Sequence, residues 1–284
     1  MLSREPALLY GIVLALGLLV GSFLNVVIYR LPRMLEEDWR RECDRAGGKD
    51  RPERSDMTLA RPGSHCPHCG HALTPLENIP LLSYLLLRGR CSACGKRIGL
   101  RYPLVEAATA LLSLLVVWRF GVGWETAAAL LLTWGLIALA LIDLDTQLLP
   151  DAITLPLLWA GLLASLAGWF TDSRSAILGA ALGYLSLWGF YRLFRLMTGK
   201  EGMGYGDFKL LALLGAWLGW PHLPQIVLVS TLTGAIVGVL LILLRGHDRQ
   251  APIPFGPYLA AAGWISLLWG QEVNEAYLSW SGLA

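Results

Sequence analysis

The chain has 284 residues and a net charge of +2, with 55% hydrophobic and 15% charged residues. Soluble domains carry about 25% charged residues, and a mean hydropathy of +0.53 departs in the same direction, so composition excludes a soluble domain. The small positive balance is no footprint of nucleic acid, and no nucleic-acid partner is expected. The Lys and Arg residues sit beside apolar runs long enough to cross a bilayer.

In chain order, the first apolar run covers roughly 6–29. It is too long for a secretory signal and lacks a small-residue cleavage pattern, so it reads as a retained span. A polar stretch, 30–101, follows as the sizeable extramembrane segment, and further runs lie at 103–120, 125–143, 152–170, 175–197, 207–220, 223–244 and 255–270. The sixth and eighth are short. The expected fold is an all-α polytopic membrane protein of about eight transmembrane helices with a small zinc-binding cytoplasmic domain. Its expected divisions are 1–29, 30–101 and 102–284. No internal repeat is seen. With 30–101 inside, that side carries 20 Lys and Arg against 3 on the other (Arg4, Arg119, Arg174). The positive-inside rule then makes the loop cytoplasmic and both termini external. By the parity of eight spans, the end of the third and the start of the sixth share the cytoplasmic face.

Cys66-Pro67-His68-Cys69 and Cys91-Ser92-Ala93-Cys94 lie 21 residues apart, each followed by glycine, Gly70 and Gly95. Two such knuckles supply four thiolates to one tetrahedral Zn²⁺. A closed four-Cys site is structural, and no H-E-x-x-H is present, which argues against a metalloprotease. His65, His68 and His71 read as bystanders, and Cys43 as a free thiol in a loop.

The third span ends in Asp143, with Asp145 and Asp151 beyond it. The sixth is entered by Gly202-Met203-Gly204-Tyr205-Gly206-Asp207-Phe208-Lys209. Ionisable residues at a membrane face are costly and point to function. Two carboxylates sharing a proton hydrolyse peptides: one takes a proton from water, the other polarises the scissile carbonyl. Asp151 reads as the N-cap of the fourth span and Asp145 as a solvated helix-end residue. For Asp207 a cap and a catalyst are equal readings. Glu106 lines a site or pairs with Arg101, and Lys209 reads as an interfacial, snorkelling side chain.

Gly204-Tyr205-Gly206-Asp207 resembles the Gly-x-Gly-Asp motif of membrane aspartic peptidases. Gly21-Ser22-Phe23-Leu24-Asn25 through Pro32, Glu77-Asn78-Ile79-Pro80 through Tyr84, and Ile253-Pro254-Phe255-Gly256-Pro257 resemble the type IV prepilin peptidase family specifically. Tyr29 stands where the family often has His. In the family pattern the first catalytic Asp lies six residues before a Leu-Pro pair, so Leu149-Pro150 selects Asp143. The resemblance implies catalysis by Asp143 and Asp207. It also implies a bacterial inner-membrane location with a cytoplasmic active site, and cleavage of type IV prepilins and type II secretion pseudopilins after a leader Gly. N-methylation of the new N-terminus by S-adenosylmethionine is implied as well. No glycine-rich fingerprint for that cofactor is present, so its residues are not assigned. Two other readings compete. One is a transporter or assembly scaffold with ion-carrying acids; the other is a peptidase that cuts within the bilayer. The absence of a repeat and the single-face placement of the acids argue against the first. The four-Cys loop and the same placement argue against the second.

Overall fold

The computed structural model describes residues 6–47, 57–200, 203–245 and 254–281. The segments expected at the ends of two motifs, Gly202 and Ile253, lie outside these. The described residues fold into nine α-helices: α1 (Pro6–Ala46), α2 (Leu82–Leu86), α3 (Arg101–Phe120), α4 (Trp124–Thr146), α5 (Asp151–Leu166), α6 (Ser173–Thr198), α7 (Tyr205–Leu218), α8 (Leu223–Arg245) and α9 (Gly256–Ser281). They form two compact units, Met1–Val122 and Gly123–Ala284.

Each expected span falls on a helix, but the count of eight is not reached on length and composition. Among the described residues, five helices are long and apolar enough to cross a membrane: α1, α3, α4, α6, and α8 with the 3₁₀ turn before it. α5 is apolar but has only 16 residues, and α7 only 14. α9 is longer than the sequence suggests, at 26 residues, with a kink at Trp269. The bilayer-facing character is plain on α8, where Leu228, Leu232, Ile236 and Leu240 recur every four residues, all exposed. A continuous outward apolar stripe of this kind suits lipid, not water.

In the first unit, α1 runs for 41 residues, about 60 Å, or twice the thickness of a bilayer core. Its second half leaves the apolar pattern and becomes a charged arm braced by Glu36–Arg40 and Glu37–Arg41 pairs at i,i+4. Cys43, expected in a loop, is therefore an exposed residue of a helix. α1 packs on α3 through Gly17 and Gly21. A Cβ at either position would meet the α3 backbone, at 2.6 Å from Cα of Ala110 and 2.7 Å from Cα of Glu106. The Gly-x-x-x-Gly spacing puts both glycines on one face and lets the backbones approach. Thr109 and Ser113 of α3 satisfy their hydroxyls on carbonyls one turn back, of Val105 and Thr109.

The second unit is built around α7. Asp207, Phe208 and every residue from Leu210 to Leu218 are buried. α6 meets it through another Gly-x-x-x-Gly. A side chain at Gly179 would collide with the carbonyl of Gly215, and one at Gly183 with the carbonyl of Leu211 at 2.7 Å. On the α5 side, the Trp217 ring fills the space over Gly161 and donates its indole N–H to the carbonyl of Leu157 at 2.8 Å. α9 is tied to its neighbours by Trp264 to Thr133 at 3.1 Å and by Gln225 to Ser266 at 3.0 Å.

The tight α6–α7 seam yields a direct expectation. Gly179→Ala places a methyl against backbone that no rotamer change can move, and overpacking of this kind costs about 1–3 kcal/mol. Purified Gly179→Ala should melt well below wild type in detergent. Gly189→Ala, on the same helix but with open space at its Cβ, should melt at or above it.

Candidate functional site

The first functional cluster lies in the first unit. Cys66 and Cys91 are buried, Cys69 and Cys94 exposed, and the four sulfurs lie within 4.8 Å of one another. The Cys66–Cys94 and Cys69–Cys91 Sγ separations are both 3.9 Å. Four sulfurs about 2.3 Å from a central ion form a tetrahedron with edges of about 3.8 Å, so the cluster fits a metal ion. It is the one such group of ligands among the described residues.

The two knuckles are the same structure twice. In each, the first Cys N–H donates to a carbonyl five residues on, Cys66 to His71 and Cys91 to Lys96, both at 2.9 Å. In each, a glycine N–H returns to that cysteine's carbonyl, Gly70 to Cys66 and Gly95 to Cys91, again at 2.9 Å. Both glycines have φ near 70°, which closes the turn without a Cβ clash. The flanking bonds Leu73 to Ser64 and Ile98 to Gly89 complete the match. Residues 64–73 and 89–98 are thus an internal repeat, where none was expected. Only the cysteines and the following glycine are identical, too short a signature to register as a repeat. The amides of His68 and Cys69 draw the Cys66 thiol down, while burial and the neighbouring thiols push the Cys69 thiol up, so the four sulfurs share their protons unevenly in the absence of a cation.

The histidines are not among the four ligands. His65 contacts the carbonyl of Gly63 at 3.0 Å. His71 sits 3.4 Å from both Glu77 and Ser92. The Ser92 hydroxyl, with the Thr74 amide and hydroxyl, holds the Glu77 carboxyl down at about 2. This network ties both knuckles to the segment leading into α2.

The second cluster lies in the second unit. Asp143 is in the last turn of α4, buried. The helix stops just beyond it because Gln147 turns left-handed (φ 55°) and its N–H closes on the Asp143 carbonyl at 2.9 Å. The carboxylate Oδ2 accepts from the Gly256 N–H at 2.9 Å. Gly256 opens α9, so the positive end of that helix faces the carboxylate. A Cβ at Gly256 would stand 2.6 Å from the same oxygen. Only glycine leaves room for the bond.

Asp207 is buried in the first turn of α7, near enough to Asp143 for the two carboxylates to interact electrostatically. The cap of α7 is Gly204, with Asp207 three residues inside, so the N-cap reading of Asp207 does not hold. Nor is Asp151 a cap. Pro150 occupies that position, and Asp151, the first residue of α5, receives two bonds of 2.7 Å from Lys209. Lys209 thus joins the start of α7 to the start of α5. Asp145 is exposed on the far end of α4.

Leu149 occupies a position whose role the sequence did not disclose. A Cβ at Gly206 would meet the Leu149 Cβ at 2.8 Å, and one at Gly256 would meet its Cδ1 at 3.3 Å. This side chain therefore spaces the strand of chain before Asp207 from the one that caps Asp143. The Leu-Pro pair and the glycine of Pro254-Phe255-Gly256 were visible only as matching motifs; their part is to position the carboxylates.

Glu106, in α3, is buried and accepts from the Leu81 N–H at 2.8 Å. It lines a cavity of about 410 Å³ within the first unit, together with Asn25, Tyr84 and Tyr102.

Comparison with known proteins matches residues 15–120 to the bacterial peptidase A24 N-terminal domain and residues 130–239 to the type IV leader peptidase family. A prepilin leader peptidase/N-methyltransferase of Pseudomonas aeruginosa is 56% identical over 99% of this chain and 97% of its own length. Proteins of the same description from Aeromonas salmonicida and Xanthomonas campestris are 57% and 47% identical. They cover 96% and 99% of this chain, and 95% and 99% of their own lengths. No solved structure matches. With both domains matched in order and relatives aligned from end to end, the chain belongs to the type IV leader peptidase family.

Proposed function

We propose that this protein is an aspartic endopeptidase that removes the leader of type IV prepilins and type II secretion pseudopilins, and then methylates the new N-terminal amine with S-adenosylmethionine. Family membership and end-to-end relatives of that description support the two activities. The observation that carries the site assignment is the pair of buried, interacting carboxylates of Asp143 and Asp207. One of them takes a proton from the attacking water while the other, protonated, polarises the scissile carbonyl. Gly256 fixes the orientation of Asp143 through its N–H, and Leu149 sets the spacing. The chain is a multi-pass protein of the bacterial inner membrane. The distribution of Lys and Arg argues for a cytoplasmic 30–101 domain and for a cytoplasmic face at the active site. The metal of Cys66, Cys69, Cys91 and Cys94 is a structural Zn²⁺, given four-thiolate coordination with no open position.

Three outcomes are expected. Asp143→Asn and Asp207→Asn should each reduce prepilin cleavage by about 10³-fold or more, and the double variant little further, because a shared-proton pair acts as a unit. Asp145→Asn should retain activity, and Gly256→Ala should lose most of it by displacing Asp143. Cleavage is read by mass spectrometry of co-expressed prepilin. An active Asp143→Asn variant would refute the assignment.

Purified protein should hold about one Zn²⁺ per chain. The Cys91→Ser, Cys94→Ser double variant should lose it and Cys43→Ser should not, by elemental analysis.

Cysteine labelling of intact cells should reach a tag at the C-terminus but not the 30–101 segment. Labelling of that segment would invert the topology.

A further inference from the structure

The cavity of the first unit is lined by none of the residues assigned to the peptidase site. It is lined entirely by residues between Ser22 and Glu106 and has a volume of about 410 Å³, within the ordinary range of small-molecule sites. Its walls come from α1, α3, the knuckles and the segment around α2. The four cysteines fit a metal ion of their own, and the rest of the lining is free to meet another ligand.

Its lining has a specific chemical character. Glu106 is a buried carboxylate, costly to bury without compensation. The compensation is prepared by strain: Leu81 adopts φ 57°, rare for a residue with a Cβ, and in that conformation its N–H meets Glu106 Oε2 at 2.8 Å. Gly21 lets α1 close on the backbone of Glu106 itself. The carboxylate is thus held in place on the cavity wall. Tyr84 and Tyr102 add aromatic surface, and the exposed Lys96 and Arg97 add positive charge.

We propose that this cavity is the S-adenosylmethionine site, with Glu106 opposite the sulfonium; the inference rests on the methylation reading above. A sulfonium is a permanent cation wrapped in carbon. It suits a buried carboxylate beside aromatic faces better than a strongly hydrated ammonium does. Adenine is a flat ring for tyrosine to cover, and the carboxylate of the methionine moiety matches Lys96 and Arg97. Glu106 is a binding residue here, selecting the charged cofactor over its neutral product.

The test uses full-length, zinc-loaded protein in detergent. Tritiated S-adenosylmethionine is cross-linked to it by ultraviolet light and the labelled peptides are mapped. Label should fall within Ser22–Arg30, Glu77–Leu87 or Lys96–Glu106. In equilibrium dialysis, Glu106→Gln should weaken S-adenosylmethionine about tenfold or more. S-adenosylhomocysteine, which lacks the positive charge, should weaken far less. Label confined to residues 123–284 overturns the proposal, as does an equal loss for both ligands in a Gln variant that keeps its zinc. If the Gln variant loses its zinc, the wild-type map alone decides. Bound cofactor and an N-methylated pilin with label elsewhere would sink this site and leave the methylation reading standing. No binding by wild type, with an unmethylated pilin product, would sink both.

Discussion

Helix α7 is enclosed along its last nine residues, Leu210 to Leu218, and the second unit is arranged to make that enclosure possible. A helix buried on every side must be approached closely by its neighbours, and side chains of ordinary size would hold them off. Gly179 and Gly183 on α6, Gly161 on α5 and Gly263 on α9 each remove the obstacle at one contact. The payload of this packing is Asp207, whose position in the first turn follows from the placement of the helix as a whole. Membrane interiors offer no hydrophobic gain for bringing apolar helices together, so small residues and dispersion contacts supply the association. Where a polar group does enter, it is satisfied locally, as with Trp217 on the Leu157 carbonyl.

The second carboxylate is placed by different means. Asp143 is set by the termination of α4 at Gln147, by the α9 N-terminus through Gly256, and by the wedge of Leu149 between Gly256 and Gly206. Each device is a close contact in which glycine or a compact apolar chain is required. Removing any of them disturbs geometry before it disturbs charge. Lys209 and Asp151 join the same region at its exposed edge, where a screened pair adds little stability but fixes the register of α7 against α5.

Much of this was readable from residue order. The apolar runs marked the helices, because runs of that length have no other stable form in lipid. The cysteine spacing marked the metal cluster for the same kind of reason: two turns and four sulfurs leave one arrangement. The Leu-Pro offset of the family pattern points to Asp143 over Asp145, and the two differ sharply in burial. What was not readable depended on contacts across the fold. The count of eight is not confirmed at α7, whose 14 residues are too few to span by length alone, though a helix sheathed by other helices need not match the bilayer thickness. The charged half of α1 read as loop because its stabilising pairs, Glu36–Arg40 and Glu37–Arg41, are local and carry no apolar period. Pro150 displaced the cap expected at Asp151, and Gly204 the cap reading of Asp207, because backbone geometry, not side-chain preference, set those ends.

The duplicated knuckle would turn a metal ion bound there into a clasp. Between Cys69 and Cys91 lies a segment carrying Leu81, Tyr84 and the Glu77 network, and it has little regular structure of its own beyond the single short helix α2. An ion held by one turn from each end would close that segment into a loop and remove the entropy it would otherwise regain on opening. The left-handed Leu81 backbone and its bond to Glu106 lie within that loop. With the metal bound, the cysteines would act at a distance from their own sulfurs, by holding one wall of the neighbouring cavity in its formed state.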